Sequence, residues 1–437
     1  MQAVIMAGGK GTRLQSISKE IPKPMFPILH KPILEYQLDS LKKSGVLDIV
    51  FVVGYLGHVI QSYFGDGTRF GVRIRYIMES APLGTAGALY YLKDQIKDDF
   101  LLIFGDLLLD VDWDRFMEFH KNREALITLY GHPNSHPYDS DLLVIDEKGK
   151  VLKIEAKNKN RDFWFHNFVN AGVYCVNPKL LATINKAEKI DLEKNLIAGQ
   201  IASGNVYAYR CTEYVKDMGT PERLRIVTHD IESGIVESRS LRNKQKAVFL
   251  DRDGTINVLK GFLQSVNDLE LLPNVVFAIK KLNESEFLTI VATNQPVVAR
   301  GECSFDELED IHMAMETQLG GQGAYIDDLF FCPHHPHKGY AGEVAELKFD
   351  CECRKPKIGM LERAAEKYNI DFNQSWFVGD STSDVQTGAN AGMRTILVET
   401  GMAGADQKYQ IKADFVARDL LEAVEIILKT DLSMSGV

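Results

Sequence analysis

Short runs of apolar residues alternate along the chain with longer stretches in which apolar residues recur at the helical period. The runs resemble buried strands and the periodic stretches resemble helices with one face in a core. The predicted strands are 2–6, 48–55, 100–106, 124–131, 246–250, 288–295, 375–380 and 394–400, and the predicted helices are 33–45, 275–285 and 360–369. This alternation indicates an α/β fold with largely parallel sheets, in which functional residues gather at the carboxyl ends of strands.

The pattern of strand followed by loop starts anew at residue 246. The chain has 437 residues, which is more than one core comfortably accommodates, so we expect two domains and at most three. A charged, serine-bearing segment with little apolar periodicity separates the halves and predicts a linker at 233–245. The predicted domains are therefore residues 1–232 and 246–430.

The composition is that of an ordinary globular protein, with 45% hydrophobic and 25% charged residues. A net charge of −10 argues against a nucleic-acid partner, which would need a basic face. No apolar run reaches the roughly 18 residues of a membrane helix, and the N-terminus lacks the basic start of a signal peptide. Scattered cysteines at 175, 211 and 303 fit a reducing compartment, so we expect a cytoplasmic protein.

The first predicted strand ends in a glycine-rich loop, AGGKGTRL, at residues 7–14. Glycines at 8, 9 and 11, followed by Thr12, would let backbone N–H groups approach phosphates closely, although a plain glycine turn has the same pattern. Arg13 follows in the same loop, and Lys23 lies between two prolines. A lysine ordered in this way could meet a phosphate at small entropic cost, but it could also be an ordinary solvated lysine.

Several segments of the first half, in order, resemble the sugar-1-phosphate nucleotidyltransferase family, which implies a Rossmann-like domain over about residues 1–230. The segments are AGGKGTRL (7–14), PKPM (22–25), PLGTAGAL (82–89), FGD (104–106), VNAGVYCV (169–176) and VKDMGTPERL (215–224). The resemblance implies attack of a sugar 1-phosphate on the α-phosphorus of a nucleoside triphosphate. Pyrophosphate leaves, and catalysis consists mostly of positioning and charge neutralisation.

The resemblance also implies roles for single residues. Asp106 and Asp217 would bind Mg²⁺, and Arg13 and Lys23 would stabilise charge on the triphosphate. The residues implied to contact the base, ribose, sugar or sugar phosphate are Gly84, Thr85, Gly87, Asn170, Glu155 and Lys157. The last two lie in KIEAKNKN, where the family has Glu-Lys-Pro, so the lysine is shifted by one position.

In the second half, VFLDRDGTIN places Asp251 and Asp253 just after a predicted strand. Carboxylates two residues apart on an extended segment can point the same way, so one could attack phosphorus while the other moves a proton. A calcium loop is the alternative for this motif alone. Thr293, Lys355 and Asp380 follow in order, with Asp384 in GDSTSD.

That order resembles the haloacid dehalogenase superfamily of aspartyl-phosphate phosphatases over about residues 246–430. The resemblance implies that Asp251 is the nucleophile and Asp253 the general acid and then base. Thr293 and Lys355 would hold the phosphoryl oxygens. Mg²⁺ would bind Asp251, Asp380 and the backbone carbonyl of Asp253, while Asp384 would orient this group rather than bind the metal.

Three of the six cysteines lie within residues 332–353, in CPHHPHKGYAGEVAELKFDCECRKP. Cys332 and His334 are two residues apart, as are Cys351 and Cys353. Three thiolates and one imidazole favour a structural Zn²⁺ loop over a catalytic site, with chance clustering or a disulfide as the alternative. The nearby histidines 335 and 337 are either surface residues or face a substrate phosphate.

The form C-P-H-H-P…C-x-C-R-K-P, with TNQPVVARG at 293–301, resembles the D-glycero-D-manno-heptose 1,7-bisphosphate phosphatases. The histidinol-phosphate phosphatases share the zinc loop and are the near alternative. The resemblance implies substrate contacts for Asn294, Arg300 and Arg354. The first half resembles the D-glycero-D-manno-heptose 1-phosphate guanylyltransferases in PKPM-x-P-I and LGTAGAL.

Together the two resemblances imply a bifunctional enzyme of nucleotide-activated heptose synthesis, with heptose phosphates and a nucleoside triphosphate, expected to be GTP, as substrates. Three alternatives stay open: another sugar nucleotide as product, a histidinol-phosphate phosphatase fused to another transferase, or a sensor that binds sugar nucleotides without turnover. The intact set of Asp251, Asp253, Lys355 and Asp380 argues against the sensor. The sequence leaves open whether the chain forms a homo-oligomer.

Overall fold

The computed structural model describes residues 1–9 and 20–434, which form two compact units. Unit 1 consists of Met1–His132, Asp141–Ala156 and Phe168–Leu241. Unit 2 consists of Pro133–Ser140, Lys157–Asn167 and Arg242–Val437. The chain thus contributes two segments to unit 2 before its second half begins.

Unit 1 contains thirteen strands and five α-helices among its described residues. The strands are β1 (Gln2–Met6), β2 (Pro27–Ile28), β3 (Lys31–Pro32), β4 (Asp48–Val53), β5 (Arg73–Met78), β6 (Phe100–Phe104), β7 (Leu107–Asp110), β8 (Ile127–His132), β9 (Leu142–Ile145), β10 (Val151–Glu155), β11 (Val169–Val176), β12 (Val206–Arg210) and β13 (Tyr214–Asp217). The helices are α1 (Ile33–Lys43), α2 (Gly57–Phe64), α3 (Trp113–Asn122), α4 (Pro221–Glu232) and α5 (Ile235–Ser238).

Unit 2 contains six strands and five α-helices among its described residues. The strands are β14 (Ala247–Leu250), β15 (Leu288–Asn294), β16 (Asp328–Cys332), β17 (Trp376–Gly379), β18 (Arg394–Val398) and β19 (Phe415–Ala417). The helices are α6 (Val275–Asn283), α7 (Phe305–Gly321), α8 (Gly359–Tyr368), α9 (Thr382–Asn390) and α10 (Leu420–Met434). All eight predicted strands and all three predicted helices are present, with ends that differ by a few residues.

The main sheet of unit 1 is mixed. Its order is β10-β9-β11-β6-β1-β4-β5, with β8 paired to both β11 and β12. Only the neighbouring strands β6, β1, β4 and β5, and the β8–β12 pair, run parallel. The prediction of largely parallel sheets is therefore wrong for this unit. Strands β9 and β10 are joined by a short turn at 146–150, which leaves no room for the crossover helix that parallel neighbours require.

The parallel part of this sheet brings glycines together at its carboxyl edge. Met6 pairs with Val52 and Phe104, so residues 7–9 emerge beside Gly54 and Gly105. The Gly105 N–H donates to the Met6 carbonyl (3.0 Å). The apolar faces of these strands lie in one core with Leu89, Phe100 and Leu180.

The sheet of unit 2 is entirely parallel, in the order β16-β15-β14-β17-β18-β19. Leu250, at the end of the central strand β14, pairs with Val291 and Val378. The residues that follow these strands must therefore meet at one carboxyl edge, where ligands bind in sheets of this kind.

The two early segments of unit 2 pack on α7. His166 lies between Glu316 and Glu309, with each ring nitrogen 2.7 Å from a carboxylate oxygen. Thr317 bonds both the N–H (2.9 Å) and the carbonyl (3.1 Å) of Phe165. Burial opposes the charge on His166, but the two glutamates outweigh it and raise its pKa to about 10. No pattern along the chain indicates that this segment belongs with the second half.

The predicted linker, 233–245, is structured: it contains α5, and Ile235 and Leu241 are buried. Its placement and the predicted domain limits stay predictions. Within the described residues, no helix combines the length and apolar character that crossing a membrane requires.

Glu213 is a buried carboxyl group in unit 1, only 3% exposed. Its Oε1 accepts the N–H groups of Asp112 (2.7 Å) and Leu241 (2.9 Å), and Oε2 accepts the Tyr130 hydroxyl (2.9 Å). Burial outweighs these bonds and raises the pKa of Glu213 to about 7. The pKa of Glu213 is higher in the folded protein than in the unfolded chain. Protonated Glu213 therefore stabilises unit 1 at pH values below the unfolded pKa, and this stabilisation is lost as the pH rises toward 7.

We expect Glu213→Gln to abolish this pH dependence, since glutamine can keep the two backbone bonds and has no charge. The wild-type protein should lose on the order of 3 kcal/mol of opening free energy between pH 4.5 and 7 relative to the variant. Hydrogen exchange of peptides spanning 206–217 measures this difference. The exposed Glu147→Gln is the control, and an equal pH response in wild type and Glu213→Gln would contradict the prediction.

Candidate active sites

Lys355 lies at the centre of the carboxyl edge of unit 2. Its Nζ is 2.9 Å from Oδ1 of Asp251, which follows β14, and 2.6 Å from Oδ1 of Asp384, in the first turn of α9. The Lys355 side chain is 2% exposed. Burial opposes the ammonium charge, but the two carboxylates outweigh it, so the pKa of Lys355 is raised.

The capping box at the N-terminus of α9 fixes the Asp384 side chain. The Ser381 side chain caps α9, and Asp384 Oδ2 in turn accepts the Ser381 hydroxyl (2.6 Å) and N–H (3.1 Å) in a capping box. Both carboxylate oxygens of Asp384 are thus engaged by protein donors. This geometry favours the expectation that Asp384 orients the metal-binding group rather than binding the metal.

Asp251, Asp380 and Asp384 each place a carboxylate oxygen within 4.8 Å of the others. Burial and the other two carboxylates raise the pKa of Asp380 to about 8. Burial also raises the pKa of Asp251 to about 6, although Lys355 opposes this. One ammonium group facing three carboxylates leaves excess negative charge, so the donor set fits a hard divalent cation such as Mg²⁺.

Glycines make room for Asp380. A side chain at Gly254 or Gly401 would place its Cβ 2.2 Å or 2.1 Å from Asp380 Oδ2, and both glycines have positive φ. The Met402 N–H donates to the same oxygen (2.7 Å). The loop after β14 and the loop after β18 therefore hold this carboxylate from two sides.

Asp253 is held by three side chains that the sequence did not single out. The fully buried Arg252 donates to both of its oxygens (3.0 and 2.9 Å), and Asn257 (3.0 Å) and Gln295 (2.8 Å) each donate one bond. Burial opposes the charge, but these donors outweigh it and lower the pKa of Asp253. The free protein thus carries Asp253 as a carboxylate, ready to accept a proton.

The end of β15 supports the same site. Gln295 donates to the Thr293 hydroxyl (3.0 Å). Asn294 accepts the Lys355 N–H at 3.0 Å and donates to the Lys355 carbonyl at 3.2 Å, so its side chain brackets that residue. The predicted residues Thr293, Lys355, Asp251 and Asp380 therefore lie at one edge, and Asn294 positions Lys355.

Cys332, His334, Cys351 and Cys353 lie together in the loop after β16. Their sulfurs are 3.1–3.3 Å apart, and His334 Nδ1 is 3.3 Å from Cys353 and 3.6 Å from Cys332. The cysteines are free thiols, which argues against the disulfide alternative. A tetrahedron with Zn–S bonds of about 2.3 Å spaces its sulfurs about 3.8 Å apart, so this set could hold Zn²⁺ after small shifts.

This cluster is continuous with the lysine that contacts Asp251. Arg354 and Lys355 directly follow Cys353, and Arg354 donates from Nη1 to the His334 carbonyl (3.0 Å). His335 and His337 lie just outside the cluster, with His335 Nδ1 3.1 Å from the His337 carbonyl. An interaction that holds the three cysteines and His334 together therefore also fixes the backbone at Lys355.

If the cluster holds Zn²⁺ as predicted, Cys351→Ser should lose zinc binding and weaken the expected phosphate release at least tenfold, because the loop segment leading to Lys355 loses its anchor. Pyrophosphate release should be retained. Metal analysis and the two activity assays measure this, with the buried Cys303→Ser as the matched control. Wild-type phosphatase activity in a zinc-free Cys351→Ser protein would contradict this role of the cluster.

In unit 1, Gly8 and Gly9 follow β1, while Gly11, Thr12 and Arg13 lie outside the described residues. A Cβ at Gly8 would lie 2.1 Å from Glu79 Oε2, so a larger residue at position 8 would displace the Glu79 carboxylate. Glu79 follows β5, and its Oε1 accepts the Leu83 N–H (3.1 Å). This carboxylate beside the glycine turn was not singled out from the sequence, because only the strand order brings the two together.

The two predicted Mg²⁺ ligands of unit 1 are neighbours. Strand β13 pairs with β7, which sets Asp217 opposite Leu107, and the Met218 N–H donates to the Asp106 carbonyl (3.1 Å). Asp106 forms an ion pair with Lys23, and Asp217 forms one with Arg223. Two aspartates on neighbouring segments, each paired with a cation, suit a site for Mg²⁺ and phosphate, since a metal ion would release both cations.

The loop PLGTAGAL packs against residues 188–192. Gly84 bridges to Ile190, and a Cβ at Gly84 or Gly87 would lie 2.4 Å from the Ile190 carbonyl or 1.9 Å from the Glu188 carbonyl. Thr85 accepts the Leu192 N–H (2.7 Å). Within the structure these three predicted nucleotide contacts also hold the loop in place.

Asn170, in β11, is part of a partly buried hydrogen-bonded group with Tyr174 and Glu193. Its Nδ2 donates to the Tyr174 hydroxyl (2.8 Å) and lies 3.4 Å from Glu193, and Tyr174 donates to the same Glu193 oxygen. The Gly172 N–H donates to Asn170 Oδ1 (3.3 Å). The amide donors of Asn170 are thus used within the protein, which leaves Oδ1 as the atom able to meet a sugar hydroxyl.

The two residues predicted at the sugar phosphate fall in different units. Glu155 ends β10 in unit 1, where it pairs with Lys153, and Lys157 begins the segment that belongs to unit 2.

Two family models match the chain: one described as nucleotidyl transferase over residues 2–234, and one described as HAD-hydrolase-like over residues 352–423. The mannose-1-phosphate guanylyltransferase of Mycobacterium tuberculosis is 29% identical over 55% of this chain and 67% of its own length.

Two phosphatases match the second half. The D-glycero-beta-D-manno-heptose-1,7-bisphosphate 7-phosphatase of Haemophilus ducreyi is 36% identical over 42% of this chain and 98% of its own length. The D-glycero-alpha-D-manno-heptose-1,7-bisphosphate 7-phosphatase of Photorhabdus laumondii is 41% identical over 36% and 85%. The chain therefore belongs to the nucleotidyl transferase family through residues 2–234 and, through its second half, to the family of D-glycero-D-manno-heptose-1,7-bisphosphate 7-phosphatases.

Proposed function

We propose that the chain is a bifunctional enzyme of nucleotide-activated heptose synthesis. The second half would remove the C7 phosphate of D-glycero-D-manno-heptose 1,7-bisphosphate, and the first half would transfer GMP from GTP to the heptose 1-phosphate, releasing pyrophosphate. The observation that carries the proposal is the edge that joins Asp251, Lys355 and Asp380 in a chain spanning nearly the whole length of a heptose-bisphosphate phosphatase.

In the phosphatase, Asp251 Oδ1 accepts the Arg252 N–H (2.7 Å) and the Lys355 ammonium, which assigns attack on phosphorus to Oδ2. The bond from phosphorus to the C7 oxygen breaks, and that oxygen takes a proton from Asp253. Water then attacks the aspartyl phosphate and gives its proton to Asp253, which releases inorganic phosphate and restores Asp251.

The hydrogen-bond donors around Asp253 favour one of the two protonation states that it needs in this reaction. Arg252, Asn257 and Gln295 favour the carboxylate, which is the form that accepts a proton from water in the second step. In the first step Asp253 must already hold a proton, so the anionic substrate would have to raise its pKa on binding. Lys355 and Thr293 would meet the phosphoryl oxygens throughout.

We place Mg²⁺ at Asp251 and Asp380 in unit 2, with the Asp253 carbonyl, and at Asp106 and Asp217 in unit 1. Bound there, Mg²⁺ supplies a Lewis acid that offsets the negative charge of the reacting phosphates. Structural Zn²⁺ is assigned to Cys332, His334, Cys351 and Cys353. In unit 1, Lys23 and Arg223, released from their carboxylates, would neutralise triphosphate and sugar phosphate.

Glu79 supports guanine as the base. The Watson–Crick edge of guanine offers two adjacent donors, N1–H and N2–H, which one carboxylate can accept together. Adenine has an acceptor at N1, and uracil places carbonyl oxygens on both sides of its single N–H. Glu79 presents a half-buried carboxylate against Gly8, at the turn where the nucleotide is expected, and burial raises its pKa.

We expect Glu79→Gln to lower kcat/KM for GTP by roughly 10- to 100-fold, since a bidentate contact to a base contributes about 1–3 kcal/mol. Activity with ATP should change less than threefold, because adenine cannot use the carboxylate in this way. A panel of nucleoside triphosphates with heptose 1-phosphate measures both. The exposed Glu118→Gln is the matched control, and an equal loss for all bases would refute base selection by Glu79.

The sugar assignment is tested by phosphate release from heptose 1,7-bisphosphate compared with histidinol phosphate. The proposal predicts a kcat/KM at least 100-fold higher for the heptose bisphosphate. A preference for histidinol phosphate would instead support the fusion of a histidinol-phosphate phosphatase with another sugar nucleotidyltransferase.

A further inference from the structure

Three consecutive residues of the second early segment of unit 2, Lys157–Asn167, are held by two neighbouring residues of α7. Thr317 Oγ1 accepts the Phe165 N–H (2.9 Å). Glu316 Oε2 accepts the Asn167 N–H (2.8 Å), and Glu316 Oε1 lies 2.7 Å from His166 Nδ1. The end of this segment is therefore fixed on α7 through two backbone groups and one ring, which leaves its backbone little freedom to shift.

Glu316 is a buried acid whose partners come from this segment. Its side chain is 5% exposed, and a buried carboxylate is costly unless it is paired and hydrogen-bonded. The two ring nitrogens of His166 face the carboxylates of Glu316 and Glu309, so both nitrogens carry protons and the ring is a cation. Release of the segment would take this cation away from the Glu316 carboxylate, so the attachment resists opening.

The first early segment, Pro133–Ser140, packs beside the second one and on the same helix. Asn167 donates to the Asn134 carbonyl (2.6 Å) and accepts the Asn134 N–H (3.1 Å), and Arg161 donates to the Pro137 carbonyl (2.6 Å). Pro137 lies against Gly320 of α7, where an added Cβ would be 2.8 Å from the proline Cγ. The lack of a side chain at Gly320 thus lets the pair of segments approach the helix.

Both early segments continue directly into the backbone around Asn170, which is implied to contact the sugar. The second segment begins at Lys157, implied to contact the sugar phosphate, and ends at Asn167, three residues before Asn170. Asp141 directly follows the first segment, and its carbonyl accepts the Asn170 N–H (3.0 Å). Because so few residues intervene, a shift of either segment would be passed on to Asn170, and shifts of about 1 Å are enough to impair binding and reaction.

We infer that α7, a helix of the second half of the chain, positions the sugar-binding residues of the transferase half. Thr317 and Glu316 act as positioning residues: by holding residues 165–167 they fix the backbone that leads to Asn170 and the segment that carries Lys157. This inference rests on the proposed transferase function. It makes sugar 1-phosphate binding depend on a helix that contributes no side chain to the phosphatase edge described above.

The first test compares Thr317→Val, which keeps the shape of the side chain but removes the acceptor of the Phe165 N–H, with wild type. We expect KM for heptose 1-phosphate in the transferase reaction to rise roughly tenfold, the scale of one lost buried hydrogen bond. KM for GTP and the hydrolysis of p-nitrophenyl phosphate should stay within about twofold of wild type. Thr317→Ser restores the hydroxyl and should restore the KM for heptose 1-phosphate.

Two adjacent glycines of α7 provide a second, matched comparison. A Cβ at Gly320 would meet Pro137 at 2.8 Å, whereas a Cβ at Gly321 would have its nearest listed neighbours, on Tyr138, at 3.9 Å. Alanine raises helix propensity at both positions. We therefore expect Gly320→Ala to raise KM for heptose 1-phosphate and Gly321→Ala to leave it at the wild-type value.

A wild-type KM for heptose 1-phosphate in Thr317→Val would overturn the inference, and so would an equal rise in the KM for GTP or equal effects of the two glycine variants. Turnover of p-nitrophenyl phosphate shows that unit 2 is folded in each variant. If wild type forms no sugar nucleotide, the proposed function fails separately, and hydrogen exchange then tests the positioning. Peptides spanning 157–170 should exchange at least tenfold faster in Thr317→Val than in wild type, with 206–217 unchanged, and equal exchange at 157–170 would contradict the inference.

Discussion

Replacing Asp251 by asparagine should reduce phosphate release by roughly 10⁴-fold or more, the usual scale for loss of a nucleophile. The asparagine oxygen can still accept the Lys355 ammonium and the Arg252 N–H, so the site should keep its shape. Release of inorganic phosphate from heptose 1,7-bisphosphate measures the effect. Pyrophosphate release by the first half should stay within twofold of wild type.

The exposed Asp310→Asn, also in unit 2, is the matched control and should retain full phosphatase activity. A more specific readout is borohydride reduction of wild type during turnover, which converts an aspartyl phosphate to homoserine. Mass spectrometry should find the reduced residue at position 251, because the phosphoryl group is bonded to that carboxylate. An Asp251→Asn protein that releases phosphate at the wild-type rate would show that the nucleophile is misassigned.

Replacing Asp217 by asparagine should lower pyrophosphate release by about 10³-fold, which corresponds to about 4 kcal/mol of lost charge stabilisation. The variant should need more Mg²⁺ for half-maximal activity, because one of two adjacent carboxylates has lost its charge. Phosphate release should not change. An assay of pyrophosphate across a Mg²⁺ series measures both effects.

The exposed Asp98→Asn in the same unit serves as the control. Lys23→Ala is the companion variant, because the Lys23–Asp106 ion pair places a cation at the other carboxylate. If both Asp217→Asn and Lys23→Ala kept wild-type pyrophosphate release, the transferase site would have to lie elsewhere.

The site residues at the carboxyl edge of the unit 2 sheet were predictable because apolar runs in the sequence show where the strands end. Asp251, Thr293 and Asp380 each follow or end an apolar run, and parallel strands bring such positions together. Lys355 is on no strand, but the cysteines before it mark an ordered loop. Whether they bind zinc stays a prediction.

The partners of these residues were not predictable, because they depend on how a turn folds. In the turn after β14, the Arg252 side chain folds back and donates to the Asp253 carboxylate. Gln295, which follows the neighbouring strand β15, donates to the same carboxylate. In unit 1, Glu79 meets Gly8 only because β4 lies between β1 and β5 in the sheet. Neither contact leaves a periodic signal along the chain.

The mixed sheet of unit 1 and the early segments of unit 2 escaped prediction for a related reason. Apolar runs predict strands but not their direction, so largely parallel sheets were expected, whereas β11 runs antiparallel to β6. Residues 157–167 are polar and aromatic without periodicity, and their contacts with α7, among them His166 between two glutamates, show where they belong.

As a bifunctional enzyme, one chain would first remove a phosphate and then activate the same sugar. Incubation of the purified protein with D-glycero-α-D-manno-heptose 1,7-bisphosphate, GTP and Mg²⁺, followed by ³¹P NMR, measures both reactions in one sample. We expect inorganic phosphate from C7, followed by equal amounts of pyrophosphate and GDP-heptose. Phosphate released from C1, or heptose 1-phosphate that accumulates in the presence of GTP, ATP and UTP without pyrophosphate, would contradict it.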